Sequence, residues 1–365
     1  MKFILLGKNY KNYLLWLISL SIIFIGFGYY QYKNLSEAPL NINTSVNYKN
    51  ISKEGYVLDV YPKESFKSVL NRLKDDNVVS TNTQYTLYFL AKVARYDRKI
   101  KAGEYLVTPE TTALQLLQKL VDGKIILHKL TIVEGLRFEQ LLNSLQNNPA
   151  ILNTLTKFSC SDILHAINRP VENQIQGCEG LFMPDTYLFP KNTMDLVILQ
   201  KAYDTMQNRL SYLWDSSPKG VLKSSYEALI MASIIEKETS LTEEMKRVSG
   251  VYHRRLRIGI PLQADPTVIY GLKIFDRPLT RVDLKGTSDY NTYRNKGLPP
   301  SPIATPSIAA IFAALNPTTD EDHLYFVADG TGGHVFSNTL LEHNKAVWTI
   351  KNGKYNSNSD YSINR

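Results

Sequence analysis

The chain has 365 residues, 44% of them hydrophobic and 11% aromatic, which is enough for two or more globular domains and argues against wholesale disorder. Its formal net charge is +8, from 42 basic and 34 acidic residues, but the basic residues form no dense stripe. We therefore expect no nucleic-acid partner. The six histidines lack any metal-ligand spacing such as H-E-x-x-H, so we expect neither a metal nor a cofactor.

An apolar segment close to the N-terminus is the first recognisable element. Residues 12–32 carry no charged side chain, and a helix of that length crosses a bilayer core. Three lysines in residues 1–11 precede it, and the positive-inside rule keeps them in the cytoplasm. A cleaved signal peptide is the alternative, although no A-x-A-like site follows. The rest of the chain is expected outside the cytoplasm, after a polar linker at 33–50.

Residues 51–134 alternate between strand and helix patterns. The apolar spacing predicts, in order, a strand, two helices, a strand-turn-helix segment and a last strand, at 56–62, 64–79, 83–97, 102–124 and 125–133. Gly123 is placed to end the third helix. The pattern predicts a small β-helix-helix-β subdomain without catalytic features.

The remainder combines helices with long loops. Residues 135–178 form a polar, mostly helical connecting region, and residues 179–353 form a mixed α+β domain that precedes a tail at 354–365. Within the domain we predict a loop at 177–193, turns at 261–272 and a long loop at 289–307. Helices are predicted at 195–213 and 222–239, from the Ser240–Glu243 capping box, from Thr305-Pro306 to Asn316, and from Thr339 with Glu342. The segments "HLYFVAD" and "GHVFS" are predicted strands joined by a glycine-rich turn.

Two cysteines, Cys160 and Cys178, are the only ones in the chain. In an oxidising compartment they could pair across a short loop, and otherwise they stay free thiols. The sequence leaves both states open.

Glu236 is the main candidate for chemistry. It ends an apolar helix, and Leu229, Ala232 and Ser233 precede it by seven, four and three positions, which puts them on its face. Glu236 is thus expected on the buried side and Glu238 away from it. Burial disfavours the charged form of a carboxyl group, and a protonated carboxyl group near neutral pH is what general acid catalysis requires. The alternative is an ordinary helix-end glutamate paired with a cation.

Other catalytic patterns fail on spacing. No G-x-S-x-G elbow is present, and the glycine-rich "ADGTGGHVF" lacks the Gly-Lys-Ser/Thr of a phosphate-binding loop. Asp185 and Asp265 each adjoin a proline turn, where an aspartate is more often structural than catalytic.

Five segments resemble, in order and spacing, the endolytic murein transglycosylase family (MltG, YceG-like), from about residue 50 to the C-terminus. They are "EGLFMPDTYLFP", "ASIIEKET", "QADPTVIYGL", "YNTYRNKGLPPSPIATPSIAAIFAALNP" and "YFVADGTGGHVFSNTLLEHNKAV". The resemblance places the family's catalytic acid on Glu236. It also implies a LysM-like, glycan-binding role for the small subdomain at 51–134.

The resemblance implies a membrane-anchored lyase of the inner membrane, with its catalytic domain in the periplasm. Such an enzyme cuts the MurNAc-GlcNAc bond within peptidoglycan strands and leaves 1,6-anhydroMurNAc ends. The expected partners are peptidoglycan glycan strands, the inner membrane and penicillin-binding proteins. Expected glycan-binding residues are Glu179, Asp185, Gln263, Asp265, Tyr290, Asn291, Tyr293, Asn316 and His334.

Two other functions stay open at the level of sequence. A muramidase-type hydrolase would use Glu236 with an activated water and leave reducing ends. A non-catalytic cell-wall-binding scaffold would need only the small subdomain, and the presence of Glu236 argues against it.

Overall fold

A computed structural model describes most of the chain and divides it into two compact units, Met1–His128 and Lys129–Arg365. The residues described are 6–40, 51–52, 54–155, 159–169, 177–218 and 220–352. The predicted tail at 354–365 and most of the predicted linker lie outside these ranges. The fold is mixed α/β, with many helices and several small sheets.

Helix α1, Leu6–Glu37, contains the predicted membrane segment. Its part from Asn12 to Glu37 is long and apolar enough to cross a membrane. The helix runs past residue 32, so the start of the predicted linker is helical. This extension has a packing reason, because Leu35 is only 2% exposed in the core of the first unit.

The first unit packs helices on a three-stranded antiparallel sheet of order β1-β2-β3. Its strands are β1 Ile51–Ser52, β2 Gly55–Val60 and β3 Gly103–Val107, and its further helices are α2 Phe66–Asp75, α3 Thr81–Val93 and α4 Ala113–Asp122. Tyr56 opposes Val107 in the register of β2 and β3. The β2-α2-α3-β3 order gives a strand, two helices and a strand.

Local capping explains where these helices begin and end. Ser65 and Ser80 accept backbone hydrogen bonds as the N-caps of α2 and α3. Thr112 and Gln115 form a capping box at the start of α4, and Gly123, at φ 74°, ends that helix as predicted. The strand predicted at 125–133 does not join this sheet, because it pairs with a strand of residues 186–189.

The second unit is built around helix α8. Its strands are β4 His128–Thr131, β5 Ile151–Leu152, β6 Thr186–Phe189, β7 Thr193–Met194, β8 Tyr325–Ala328 and β9 His334–Ser337, paired as β4-β6, β5-β7 and β8-β9. Its helices are α5 Phe138–Gln146, α6 Cys160–Ala166, α7 Asp195–Ser216, α8 Ser225–Glu238, α9 Thr242–Arg257, α10 Asp265–Leu272, α11 Ile308–Leu315 and α12 Leu340–Lys351. Helix α8 packs against α7, α9, α10 and α11.

The segment predicted to connect the two domains packs into the same core as α8. Leu141 and Leu145 of α5 and Leu164 of α6 are buried in that core. Cys160 and Cys178 form a disulfide with a Cα–Cα distance of 5.3 Å, which settles the state that the sequence left open. The disulfide fixes the start of α6 against the polypeptide that leads into β6.

Several predicted boundaries were wrong. Helix α9 begins at Thr242, after Leu241 without a side-chain cap, so the box predicted at Ser240 does not form. Helix α11 begins at Ile308 with Ser307 as its N-cap, two residues after the predicted proline start. The turn-rich segment 261–272 contains α10, and the loop at 177–193 contains β6. The capping box of Thr339 and Glu342 is confirmed.

Candidate active site

Glu236 lies in the last turn of α8, where the loop leading into α11 crosses the helix. Ser233, one turn earlier, accepts a 3.0 Å hydrogen bond from the amide of Ile303 and donates to the carbonyl of Ile230. This polar pair is buried and holds the loop against α8. The amide of Ser307 then donates a 2.9 Å hydrogen bond to Oε2 of Glu236. The carboxylate therefore lies at the N-terminus of α11, where the helix dipole favours negative charge.

A second segment borders Glu236 on the side of Gly135. The backbones of the two segments are joined, because the amide of Gly135 donates to Thr305 and the amide of Thr305 donates to Leu136, both at 2.8 Å. A Cβ atom built on Gly135 would lie 3.9 Å from Cγ of Glu236. Glu236 itself is half-buried.

Glu134 places a second carboxyl group close to Glu236. Burial raises the pKa of Glu134, and the negative charge of Glu236 raises it further.

Glu238 corrects an expectation, since it does not point away from the protein interior. Its Oε1 accepts a 2.6 Å hydrogen bond from the hydroxyl of Tyr252, a residue that is only 1% exposed. Burial raises the pKa of Glu238 to about 7; the hydrogen bond from Tyr252 opposes that rise and the charge of Asp265 adds to it. Glu238 is thus a carboxyl group that changes protonation near neutral pH.

Glu238 borders a cleft in this unit with a volume of about 870 Å³, which we call the larger cleft. Four of the predicted glycan-binding residues line the same cleft: Gln263, Asp265, Tyr293 and His334. The hydroxyl of Tyr293 donates a 2.5 Å hydrogen bond to Asp265. Asp265 is the first residue of α10, so its carboxylate also lies at a helix N-terminus.

Arg255 lies in the wall of this cleft. Its guanidinium group donates to the carbonyls of Leu324, Pro261 and Leu262 and to Oε1 of Gln263. These bonds hold Gln263, which adopts a left-handed backbone conformation at φ 55°. The ring of His334 is fixed separately by a 2.7 Å contact with Glu244.

A smaller cleft of about 430 Å³ contains two more of the predicted residues, Glu179 and Tyr290. Glu179 is buried, and it accepts hydrogen bonds from the amide of Phe138 at 2.8 Å and from the hydroxyl of Tyr270 at 3.2 Å. Burial raises the pKa of Glu179 to about 7, against the opposing effect of these two donors. The rings of Tyr270 and Tyr290 lie 4.9 Å apart and form one aromatic wall.

Glu236 and three of the predicted glycan-binding residues lie outside the linings of both clefts. Asn291 is fully buried, donates to the carbonyls of Leu284 and Gly286, and so shapes the loop before Tyr293. Asn316 caps the far end of α11 and bonds Ser217. Asp185 is exposed beside β6 and accepts a hydrogen bond from the next amide in the chain.

Sequence reasoning missed Glu238, Glu134 and Tyr270. Glu238 was visible as the second glutamate of "EKE", but a single helix gave no sign that α9 covers its side. Glu134 and Tyr270 carried no local signal, because their roles depend on contacts with residues far away in the sequence. Within the described ranges, no group of three His, Cys, Asp or Glu side chains is placed to hold a metal ion.

Known proteins resemble this chain over most of its length. The YceG-like family matches residues 58–349. A protein of Bacillus subtilis strain 168 named endolytic murein transglycosylase is 30% identical, over 81% of this chain and 84% of that protein. A Streptococcus pneumoniae protein of the same name is 27% identical, over 93% of this chain but only 65% of the longer relative. The crystal structure of a YceG-like protein from Listeria monocytogenes matches with a TM-score of 0.50 and 28% identity, over 80% of this chain and 99% of that one. The chain belongs to the YceG-like family.

Proposed function

We propose that this protein is an endolytic peptidoglycan transglycosylase, a lyase that cleaves the MurNAc-GlcNAc bond within glycan strands. The relatives named endolytic murein transglycosylase support this class of enzyme and peptidoglycan as its substrate. The residues and geometry of the second unit support the finer points of the mechanism below.

The position of Glu236 carries the proposal. The amide of Ser307 fixes one carboxylate oxygen, while in the described part of the chain the other oxygen accepts no hydrogen bond. The side chain is half-buried, so the free oxygen remains accessible to a substrate. A carboxyl group that is oriented at one oxygen and open at the other is suited to proton transfer.

Glu236 would act first as an acid and then as a base. In its protonated form it donates its proton to the glycosidic oxygen as the bond to C1 of the muramoyl unit breaks, through an oxocarbenium-like transition state. The resulting carboxylate accepts the proton of the C6 hydroxyl of the same sugar, and O6 attacks C1. The product is a 1,6-anhydro ring, and Glu236 regains its proton. Since no water molecule is consumed, one carboxyl group serves both steps.

The two clefts provide surfaces for the glycan. Gln263, Asp265 and His334 would hydrogen-bond N-acetyl and hydroxyl groups, while Tyr290 and Tyr293 would pack on sugar rings. Glu179 would contribute a carboxyl group in the smaller cleft. Asp185 and Asn316 are proposed on the family resemblance alone, and Asn291 would act through the loop that presents Tyr293.

The helix α1 would anchor the enzyme in the inner membrane, with the N-terminus in the cytoplasm and both units in the periplasm. Its length and hydropathy support the anchoring. Residues 51–134 would form a LysM-like glycan-binding subdomain, 135–178 would connect it, and 179–353 would carry catalysis. An anchored enzyme could act on nascent strands beside penicillin-binding proteins and so terminate their polymerisation.

Mass spectrometry of digested glycan strands tests the proposal with the full-length protein in detergent. The wild type should release fragments ending in 1,6-anhydroMurNAc, and Glu236→Gln should release none. Glu243→Gln, an exposed glutamate in the first turn of α9, is the matched control and should behave as the wild type. The variant Glu238→Gln, measured in the same way, distinguishes the contribution of Glu238 to fragment release from that of Glu236.

The products also discriminate against other functions. Reducing-end fragments from the wild type would indicate a muramidase-type hydrolase, for which Glu238 and Asp265 offer further carboxyl groups. Absence of any cleavage by a folded wild-type protein would favour a cell-wall-binding scaffold. Anhydro products from Glu236→Gln would remove Glu236 from the mechanism.

A further inference from the structure

Helix α3 of the first unit is apolar on two opposite faces. One face carries Leu87 and Ala91, which are buried in the core. The other carries Tyr85, Phe89 and Val93, which are 69%, 66% and 68% exposed. A helix on a water-facing surface normally presents polar residues on its outer side, and a helix that is apolar all round is covered by protein or by lipid. We call Tyr85, Phe89 and Val93 the α3 stripe.

The α3 stripe lies on the face of the helix that contacts α1. The side-chain amide of Asn82 donates a 3.3 Å hydrogen bond to Oε1 of Gln31. Tyr85, Phe89 and Val93 follow Asn82 by three, seven and eleven positions, spacings that return to the same side of an α-helix. The stripe therefore continues from the point where α3 meets α1.

That meeting point lies at the end of the membrane segment. Gln31 is next to the last residue of the uncharged run, and the tyrosines at positions 29, 30 and 32 around it are exposed. Tyrosines are enriched where a membrane helix enters the headgroup region. Because a residue adds about 1.5 Å to a helix, all of the α3 stripe lies within roughly 17 Å of Asn82 along the axis.

The first unit holds this end of α1 firmly. Leu35 and Leu40 are buried in its core, and the amide of Leu40 donates a 2.8 Å hydrogen bond to the carbonyl of Thr111. The bilayer that surrounds α1 is therefore held at a fixed side of this unit. The N-terminal end of α3 lies at that side, because Asn82 contacts Gln31.

Basic residues follow the stripe in the chain. Arg95, Arg98 and Lys99 follow the C-terminal end of α3, and all three are exposed. A helix with aromatic and aliphatic residues next to a cluster of cations is typical of segments that lie in the interface of a bilayer with anionic headgroups.

We propose that the α3 stripe is inserted into the headgroup and acyl boundary of the same bilayer that α1 crosses. In this arrangement the first unit lies on the membrane surface and is not merely connected to the membrane by a flexible segment. This inference rests on the membrane anchoring proposed above, and its occupant is lipid. Burial in lipid would remove these three exposed apolar side chains from water.

Photo-crosslinking to lipid tests the inference in the full-length protein. The chain is reconstituted in nanodiscs of phosphatidylethanolamine and phosphatidylglycerol with a benzophenone amino acid in place of one residue. Phe89 probes the stripe, Leu127 is a matched exposed apolar position of the same unit, and Trp16 probes α1 inside the bilayer. We expect lipid adducts at positions 16 and 89, with labelling at 89 about tenfold above that at 127. The double variant Tyr85→Ser, Val93→Ser should lower the adduct at position 89.

The outcomes distinguish the insertion of the α3 stripe into lipid from the membrane span of α1. Labelling at position 16 without labelling at 89 overturns the inference and leaves the anchoring in place. Equal labelling at 89 and 127 also overturns it, because the contact would then be unspecific. Labelling at 89 without labelling at 16 would support the surface contact and contradict the membrane span. No labelling at either position contradicts both.

Discussion

The backbone amide of Ser307 and the carboxylate of Glu236 are joined by a 2.9 Å hydrogen bond between the N-terminus of α11 and the C-terminal turn of α8. The two residues are 71 positions apart in the chain. The bond therefore forms only when the loop before α11 is in place. In this arrangement the catalytic candidate is oriented by backbone and not by a flexible side chain.

This relationship makes the length of the acidic side chain decisive. Glu236→Asp keeps the charge but withdraws the carboxylate by one methylene, so it cannot hold the Ser307 amide and reach a substrate together. We expect the rate of anhydro-fragment release to fall about 10² to 10⁴-fold. The melting temperature should change little, since the residue is half-buried. Fragment release measured by mass spectrometry, with Glu243→Asp as the control, checks this. Near-normal activity would show that the position of the carboxylate is not critical.

Local features of the sequence predicted local features of the fold. Gly123 ended α4, and Thr339 with Glu342 began α12, because a cap depends on residues within one turn. The apolar periodicity also located α8. The sequence-based interpretation failed at Glu238, because it assumed that α8 has a side facing solvent.

Helix α8 lacks a continuous solvent-facing side through its middle. All residues from Ala228 to Ile235 are buried. The spacing of apolar residues in α8 alone therefore does not show whether Glu236 or Glu238 is covered by other parts of the protein. Glu238 is covered because it contacts Tyr252 of α9. The same limit applies to Glu179, whose partner Tyr270 lies 91 positions away. The family resemblance selected glycan-binding candidates without showing that they divide between two clefts.

Glu238 should make stability depend on pH. Its pKa is raised from 4.5 to about 7 by burial, so the folded protein holds a proton that the unfolded chain has lost in this range. The stabilising effect of that proton is complete below pH 4.5 and is lost as the pH rises through 7. Glu238→Gln stays neutral and can still accept from Tyr252, so it should gain about 1–3 kcal/mol relative to wild type between pH 5 and pH 8.

Thermal unfolding of both proteins in mild detergent at pH 5 and pH 8 measures this difference. Glu179 titrates in the same range in both proteins, so the informative quantity is the difference between the pH responses of the variant and the wild type. Glu243→Gln, an exposed glutamate in the first turn of α9, should follow the wild type. A pH response of Glu238→Gln equal to that of wild type would contradict a buried, proton-holding Glu238.

The disulfide of Cys160 and Cys178 should stabilise the second unit. It closes a segment with a sequence separation of 18 residues, and loss of such a crosslink costs about 3 kcal/mol. We expect the double variant Cys160→Ser, Cys178→Ser to melt at a lower temperature, and wild type treated with a reductant to melt at that same lower temperature. The reductant should leave the double variant unchanged. Equal melting of oxidised and reduced wild type would show that the crosslink adds no stability.

Tyr293 and Asp265 offer a test of the larger cleft as a glycan surface. Tyr293→Phe keeps the ring but removes the hydroxyl that donates to Asp265 at 2.5 Å. Asp265 loses a neutral donor and becomes less well oriented, so substrate binding should weaken more than the chemical step. We expect KM for uncrosslinked glycan strands to rise about 3- to 10-fold, with kcat within about twofold of wild type. Tyr212→Phe, an exposed tyrosine on α7, is the matched control. A fall in kcat at unchanged KM would instead place the Tyr293 hydroxyl in the chemical step. If neither constant changed, this part of the cleft would not belong to the glycan-binding surface.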